Sequence, residues 1–135
     1  MVKTLLMIKP DVVAEGHYGD IISVVLRNRF NINKLSVEHF SRERAEEFYA
    51  VHRERPFFGE LVEYITGGPV VAIEVEDNGD TVARMRELIG ATDPAQAKPG
   101  TIRAMYGSNI QNNAVHGSDS PENAKKELAI AFGDF

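Results

Sequence analysis

Thr4-Leu-Leu-Met-Ile-Lys9 is apolar up to its lysine and is halted at once by Pro10. A short apolar run closed by proline reads as a buried strand, and a buried strand must be covered by other elements. The rest of the chain supplies them. Tyr18, Ile21, Ile22, Val25 and Leu26 mark an amphipathic helix. Residues 32–40 alternate, with Leu35, Val37 and His39 opposite Lys34, Ser36 and Glu38, as a half-buried strand does. This phase turns His39 inward, as a core or interface histidine. Ser41 caps a helix whose face is Ala45, Phe48, Tyr49 and His52, so periodicity alone assigns Tyr49 to the core. A second short helix over Phe58–Ile65 is stopped by Gly67-Gly68-Pro69. Val70–Glu76 is a strand, Asp80–Ile89 a helix closed by Gly90, and Ala114–His116 a short last strand before a helix over Pro121–Phe132.

The resulting order, β-α-β-(αα)-β-α-β-α, is that of an α+β fold: a ferredoxin-like split βαβ sandwich, a four-stranded antiparallel sheet with helices packed on it. No repeat or linker divides the chain, and 43% hydrophobic residues suffice for one core, so residues 1–135 read as a single domain. Residues 91–112 carry little periodicity. Pro94, Pro99 and Gly100 stiffen them, which predicts an ordered functional loop.

Several function classes drop out. No apolar run approaches a membrane span, since even Val70–Ile73 stops at Glu74. Met1-Val2-Lys3-Thr4 enters a strand directly, without a signal-peptide layout, so a cytoplasmic protein is expected. Zero cysteines remove thiol catalysis and cysteine-ligated metal, and no two histidines stand at a metal-ligand spacing. A formal net charge of −5 argues against a general nucleic-acid binder.

The chemistry concentrates in Asn113-Ala-Val-His116-Gly-Ser-Asp-Ser120. His116 sits at a strand-to-helix corner, beside a helix N-terminus whose spare N–H groups suit an anion. Ser120 before Pro121 reads as an N-cap; Asp119-Ser-Pro-Glu122 reads equally as a capping box. In the following helix Ala124, Glu127, Leu128 and Ala131 share one face. A carboxylate in an apolar stripe is costly unless hydrogen-bonded. Glu127 is therefore either a solvated edge residue or the group that orients His116 and frees one ring nitrogen as a nucleophile. The second reading accounts for more of the pattern. Lys9, Arg86 and Arg103 are each readable as ordinary surface cations, yet phosphoryl transfer needs several cations around the migrating group.

Asn-x-x-His-Gly-Ser-Asp-Ser, with Gly-Ala-Thr-Asp-Pro, Pro-Gly-Thr-Ile-Arg, Ile8-Lys9-Pro10-Asp11 and Arg55-Pro56-Phe57-Phe58, resembles the nucleoside diphosphate kinase family over nearly the whole chain. The resemblance implies ping-pong phosphoryl transfer between nucleoside tri- and diphosphates through a phosphohistidine at His116. Mg²⁺ would be carried on the nucleotide phosphates with Asp119 nearby, and no metal would be held by the protein alone. It assigns Lys9, Tyr49, Arg86, Thr92, Arg103 and Asn113 to phosphate and ribose, and places His52 and Arg55 near the phosphates. Phe57, Leu61 and Ile110 become an apolar clamp for the base, and Ser118 and Glu127 the partners of the histidine. It also implies a homo-oligomer, a tetramer or hexamer built from dimers, with no membrane or specific nucleic-acid partner. Ala104-Met105-Tyr106 departs from the family's usual Gly or Ala, Asp, Phe, so a different anchoring of that loop is expected. Gln111-Asn112 and the short end after the last helix depart as well. The competing reading is a non-catalytic ferredoxin-like module that binds nucleotides as a sensor or scaffold.

Overall fold

The computed structural model describes residues 2–110 and 112–133. Its strands are β1 (Lys3–Ile8), β2 (Asn31–Glu38), β3 (Val70–Glu76) and β4 (Val115–Gly117). The helices are α1 (Pro10–Ala14), α2 (Tyr18–Arg27), α3 (Arg42–Phe48), α4 (Phe58–Thr66), α5 (Thr81–Ile89), α6 (Ile102–Tyr106) and α7 (Pro121–Phe132). The strands form one antiparallel sheet in the order β2-β3-β1-β4. This is the expected four-stranded sandwich, with helices on both faces.

The β1 sequence explains the two layers. Its alternate residues feed two cores, because successive side chains leave a strand on opposite faces. Leu6 and Ile8 pack with Val71, Ile73 and Val115 under α2 and α5, through Ile21, Val25, Met85 and Ile89. Leu5 and Met7 pack with Val70 and Ala72 under α3, α4 and α7, through Ala45, Phe48, Val62, Ile65 and Ala131. β1 and β3 are central and covered on both sides, hence their near-continuous apolar runs.

Capping matches the sequence at the decisive points. The Ser41 hydroxyl accepts the Arg44 N–H at 3.1 Å, and the Ser120 hydroxyl accepts the Asn123 N–H at 3.1 Å. Ser120, with Pro121 next, is therefore the N-cap of α7. Asp119 contributes differently, accepting the Asn123 side-chain amide at 2.6 Å.

Three expectations are corrected. Leu35 and Val37 pair with Ile73 and Val71, on the α2–α5 side, but are 45% and 54% exposed. β2 is an edge strand that the helices do not cover, and His39 beyond its end is also exposed rather than in the core. Second, Pro10 does more than end a strand: it opens α1 directly after Lys9, at the helix position where proline's missing N–H costs nothing. Third, residues 91–112 are not a plain loop. Asp93 caps a 3₁₀ turn at Pro94–Gln96 through the Ala95 N–H at 3.0 Å, and Thr101 caps α6 through the Ala104 N–H at 3.3 Å. Elements this short hold too few residues to display a period. Gln111 lies outside the described residues.

Gly90, which closes α5, has φ 93°, and a Cβ there would lie 2.6 Å from Thr101 Oγ1. The helix that carries Arg86 thus turns into the loop against the cap of α6. Gly90→Ala combines left-handed backbone strain with this clash and is expected to cost about 2 kcal/mol. The urea-denaturation midpoint measures it, and an unchanged midpoint would show that the turn relaxes freely.

Candidate active site

His116 lies in β4 opposite Met7 of β1, so its side chain emerges on the sheet face covered by α3 and α7. There Nε2 donates to Oε1 of Glu127 at 2.9 Å, and the Ser118 hydroxyl donates to the same oxygen at 2.7 Å. A carboxylate only accepts, so a ring hydrogen resides on Nε2, and in the neutral imidazole the lone pair is on Nδ1. No hydrogen bond to Nδ1 exists among the described residues. The Phe48 ring stands edge-on to the imidazole at 5.0 Å and limits its rotation. Glu127 is therefore no solvated edge residue; its side chain is 15% exposed, and its Oε1 accepts both bonds.

Gly117 follows because Ile89 of α5 approaches the opposite face of β4. A Cβ at this position would lie 2.4 Å from Ile89 Cδ1. Asn113 and Ala114 prepare the strand. The Val115 N–H returns to the Asn113 carbonyl at 3.0 Å across Ala114, whose φ is 77°. This tight turn is a costly conformation for a residue other than glycine. It aims Asn113 at two partners: its Oδ1 accepts from Lys9 Nζ at 2.8 Å, and its Nδ2 donates to the Thr92 carbonyl at 3.1 Å.

These residues wall a cavity of about 1110 Å³. Lys9, Arg86, Thr92, Arg103 and Asn113 line it together with His116 and Asp119, and Tyr49, His52, Phe57, Leu61 and Ile110 continue the wall away from the histidine. Tyr49 is core, as periodicity assigns it, and also faces the cavity. Phe57 and Ile110 are 44% and 61% exposed and form an apolar lip, with the His52 ring 5.4 Å from that of Phe57. Arg55 is exposed and stands off the wall, and Ser118 acts from behind Glu127.

The electrostatics of the wall favour an anion. Burial, then Arg103, lower Lys9 to a pKa of about 8 against the opposing pull of Asp11. Burial, then Arg86, lower Arg103 to about 10. Both remain cationic at neutral pH at some cost, and a polyphosphate would relieve it. Arg103 donates to the Gly90 and Val115 carbonyls at 3.2 and 3.0 Å, which fixes its plane. Its Nε is buried without a hydrogen-bond partner. The amide of Asn123 first, then Arg86 and His116, lower the Asp119 carboxyl, so it is ionised. Burial and the Glu127 charge raise the Tyr49 phenol, so it stays a neutral donor. Among the described residues, no three His, Cys, Asp or Glu side chains gather as a metal site.

Phe48, Asn123 and Tyr64 were not singled out for the site by sequence. Phe48 and Tyr64 sit in helical apolar stripes, where an aromatic reads as core; Asn123 reads as a first-turn filler. The Tyr106 ring, in the departing Ala104-Met105-Tyr106, lies tilted against His17 at 5.4 Å, a contact between α6 and the start of α2.

The nucleoside diphosphate kinase family profile matches residues 2–135. A nucleoside diphosphate kinase of Chlamydia abortus is 51% identical over 132 residues, covering 98% of this chain and 93% of the relative. One of Deinococcus radiodurans is 49% identical over 134 residues, covering 99% and 96%. Among solved structures, the Aquifex aeolicus nucleoside diphosphate kinase superposes with a TM-score of 0.94 at 44% identity, covering 98% of this chain and 95% of that one. The Encephalitozoon cuniculi enzyme gives 0.94 at 36%, covering 99% and 90%. With its sheet, its histidine corner and its matches all in agreement, the chain belongs to the nucleoside diphosphate kinase family of phosphotransferases.

Proposed function

We propose that this chain moves the γ-phosphate of a nucleoside triphosphate, typically ATP, to nucleoside diphosphates by a ping-pong route through phospho-His116, and so balances NTP and dNTP pools. The observation that carries this reading is the division of labour on one ring: Nε2 is committed to Glu127, and Nδ1 has no hydrogen bond among the described residues, in a histidine that lines a cavity together with Lys9, Arg86 and Arg103. In the first half-reaction the Nδ1 lone pair attacks the γ-phosphorus. The bond from that phosphorus to the oxygen bridging to the β-phosphate breaks, and its electron pair leaves with the diphosphate. Glu127 holds the Nε2 proton and offsets the positive charge that develops on the ring. A diphosphate then attacks the phosphorus of phospho-His116 through a terminal oxygen, and the ring recovers its lone pair.

Lys9, Arg86 and Arg103 neutralise the migrating group, with Tyr49, Thr92 and Asn113 on phosphate and ribose and His52 and Arg55 near by. Phe57, Leu61 and Ile110 offer apolar surface to any base and no polar group to read one. The nucleotide enters as its Mg²⁺ complex. With Glu127 engaged by His116 and Ser118, Asp119 is a second carboxylate on the wall near His116, which supports an ion held chiefly by the phosphates. A non-catalytic nucleotide sensor would have no use for a histidine oriented by a buried carboxylate.

Residues 1–135 act as one domain under this reading, in the cytoplasm, where nucleotide pools lie; no helix among the described residues is long and apolar enough to cross a membrane. The uncovered Leu35 and Val37 on edge strand β2, with exposed Leu26 on α2, support assembly of this chain with itself, as dimers or as tetramers or hexamers of dimers. Light scattering at micromolar concentration is expected to report at least a dimer; a 15.0 kDa species would refute self-association.

His116→Gln is expected to fold normally and to lose the acid-labile phosphoprotein that forms on brief incubation with ATP and Mg²⁺. Labelling at the unaltered rate in that variant would end the assignment. Glu127→Ala is expected to lower kcat by about 10²–10⁴, the range of an orienting or acid–base partner, with KM nearly unchanged. Steady-state kinetics decide it, and a normal kcat would reduce Glu127 to a packing residue.

A further inference from the structure

We propose that Asp11 and Tyr64 form a positioning pair for Lys9, in which the phenol fixes the carboxylate and the carboxylate keeps the lysine an ammonium at the cavity wall. Neither residue lines the cavity, so each acts through Lys9. The inference rests on the phosphoryl-transfer reading above.

Three elements converge here. Lys9 precedes Pro10 at the start of α1, its own N–H tied to the Ala114 carbonyl at 2.9 Å, so its Cα is fixed between β1 and β4. Asp11 follows one residue later in the first turn of α1. The Tyr64 hydroxyl, from α4, donates to Asp11 Oδ1, and the Tyr64 ring lies 5.5 Å from Lys9 Nζ, presenting its face to the cation. One tyrosine thus contacts both members of the charge pair. Its phenol is raised, by burial first and then by Asp11, and stays a donor.

The groups acting on Lys9 are of opposite sign. Burial and Arg103 of α6 drive its proton off, and Asp11 retains it. Arg86 of α5, Tyr49, His116 of β4 and Glu127 of α7 face the same cavity. Burial and Arg103 outweigh Asp11 and lower the lysine to about 8, close above neutral pH, where the Asp11 charge still shifts the balance toward the cation. A folded-state cation with a lowered pKa loses its charge as pH rises through that value. Removal of the opposing carboxylate moves the loss to lower pH.

The test compares wild type, Asp11→Asn and Tyr64→Phe, each checked for folding by circular dichroism. The ¹³Cε resonance of Lys9, identified by its disappearance in Lys9→Arg, is titrated without nucleotide. Asp11→Asn is expected to lower the midpoint by about half to one pH unit, and Tyr64→Phe to lower it less, in the same direction. In kcat/KM, which reports the free enzyme, Asp11→Asn should be near wild type at pH 6.5 and lose about three- to eight-fold at pH 8.5. In a Lys9→Arg background the pH-dependent part of that loss should vanish, because guanidinium does not titrate there. An unmoved ¹³Cε midpoint in Asp11→Asn, or an activity loss equal at both pH values, would overturn the pair's role. An unmoved midpoint in Tyr64→Phe alone would remove Tyr64 from it. The NMR titration requires no turnover. Failure of the phosphohistidine reading is seen separately, as absence of the phosphoprotein in wild type.

Discussion

Two hydrogen-bond donors, Nε2 of His116 and the Ser118 hydroxyl, meet at one oxygen of Glu127, at 2.9 and 2.7 Å. Both donors come from the β4 corner, and the acceptor comes from α7. The bond pair is therefore also the joint between the sheet edge and the closing helix. Around it the fold is over-determined. Met7 sets the face on which His116 emerges, and the Ser118 N–H is held by the Leu5 carbonyl at 3.3 Å. Ser120 starts α7 just after the corner, so Glu127 arrives two turns later over the same strand. A carboxylate oxygen that accepts two bonds prefers the ring's proton on the nitrogen it faces. This geometry commits Nε2 and leaves Nδ1 as the nitrogen without a hydrogen bond among the described residues.

The costs in the structure collect around the same cavity. Ala114 holds a positive φ, Arg103 keeps an unpartnered buried Nε, and Lys9 and Arg103 titrate below their ordinary values. Each is unfavourable in the free protein, and a polyphosphate would relieve the electrostatic ones. The helices behind the cavity are rigidly closed: Gly90 packs on the cap of α6, and Ile89 seats on Gly117. The two apolar layers on β1 and β3 supply the stability that tolerates this strain.

Much of this was legible in the chain. Val70–Glu76 and Pro121–Phe132 coincide with β3 and α7 because their signals are local: a run of β-branched residues, and a proline cap followed by an apolar stripe. Glu127 was legible because a carboxylate at i+3 within an alanine and leucine stripe demands a partner. β2 was misjudged for a different reason. Alternation reports which side a residue takes, and Leu35 and Val37 do take the α2–α5 side, but it cannot report whether any helix reaches the sheet edge. The short α1 and α6 hold five residues each, too few to repeat an amphipathic period, so only their first residues, Pro10 at the start of α1 and the Thr101 cap of α6, could have announced them. Tyr64 was hidden by its own stripe, since its hydroxyl function depends on Asp11, distant in sequence.

The charge state of Lys9 ties these observations to one another. In the unfolded chain a lysine holds its proton to about 10.5; in the fold it releases it near 8. Between these values the unfolded state binds more protons than the folded one, so Lys9 contributes stability that grows as pH rises through that window. Below it the folded protein carries a buried ammonium beside Arg103, at a cost to stability. Neutral pH thus keeps the cation where it is least comfortable and most useful. Asp11 eases this cost from outside the cavity. Of the carboxylates that do line the wall, Glu127 is bonded by His116 and Ser118 and Asp119 by Asn123, whereas Asp11 stands behind the lysine under the hydroxyl of Tyr64.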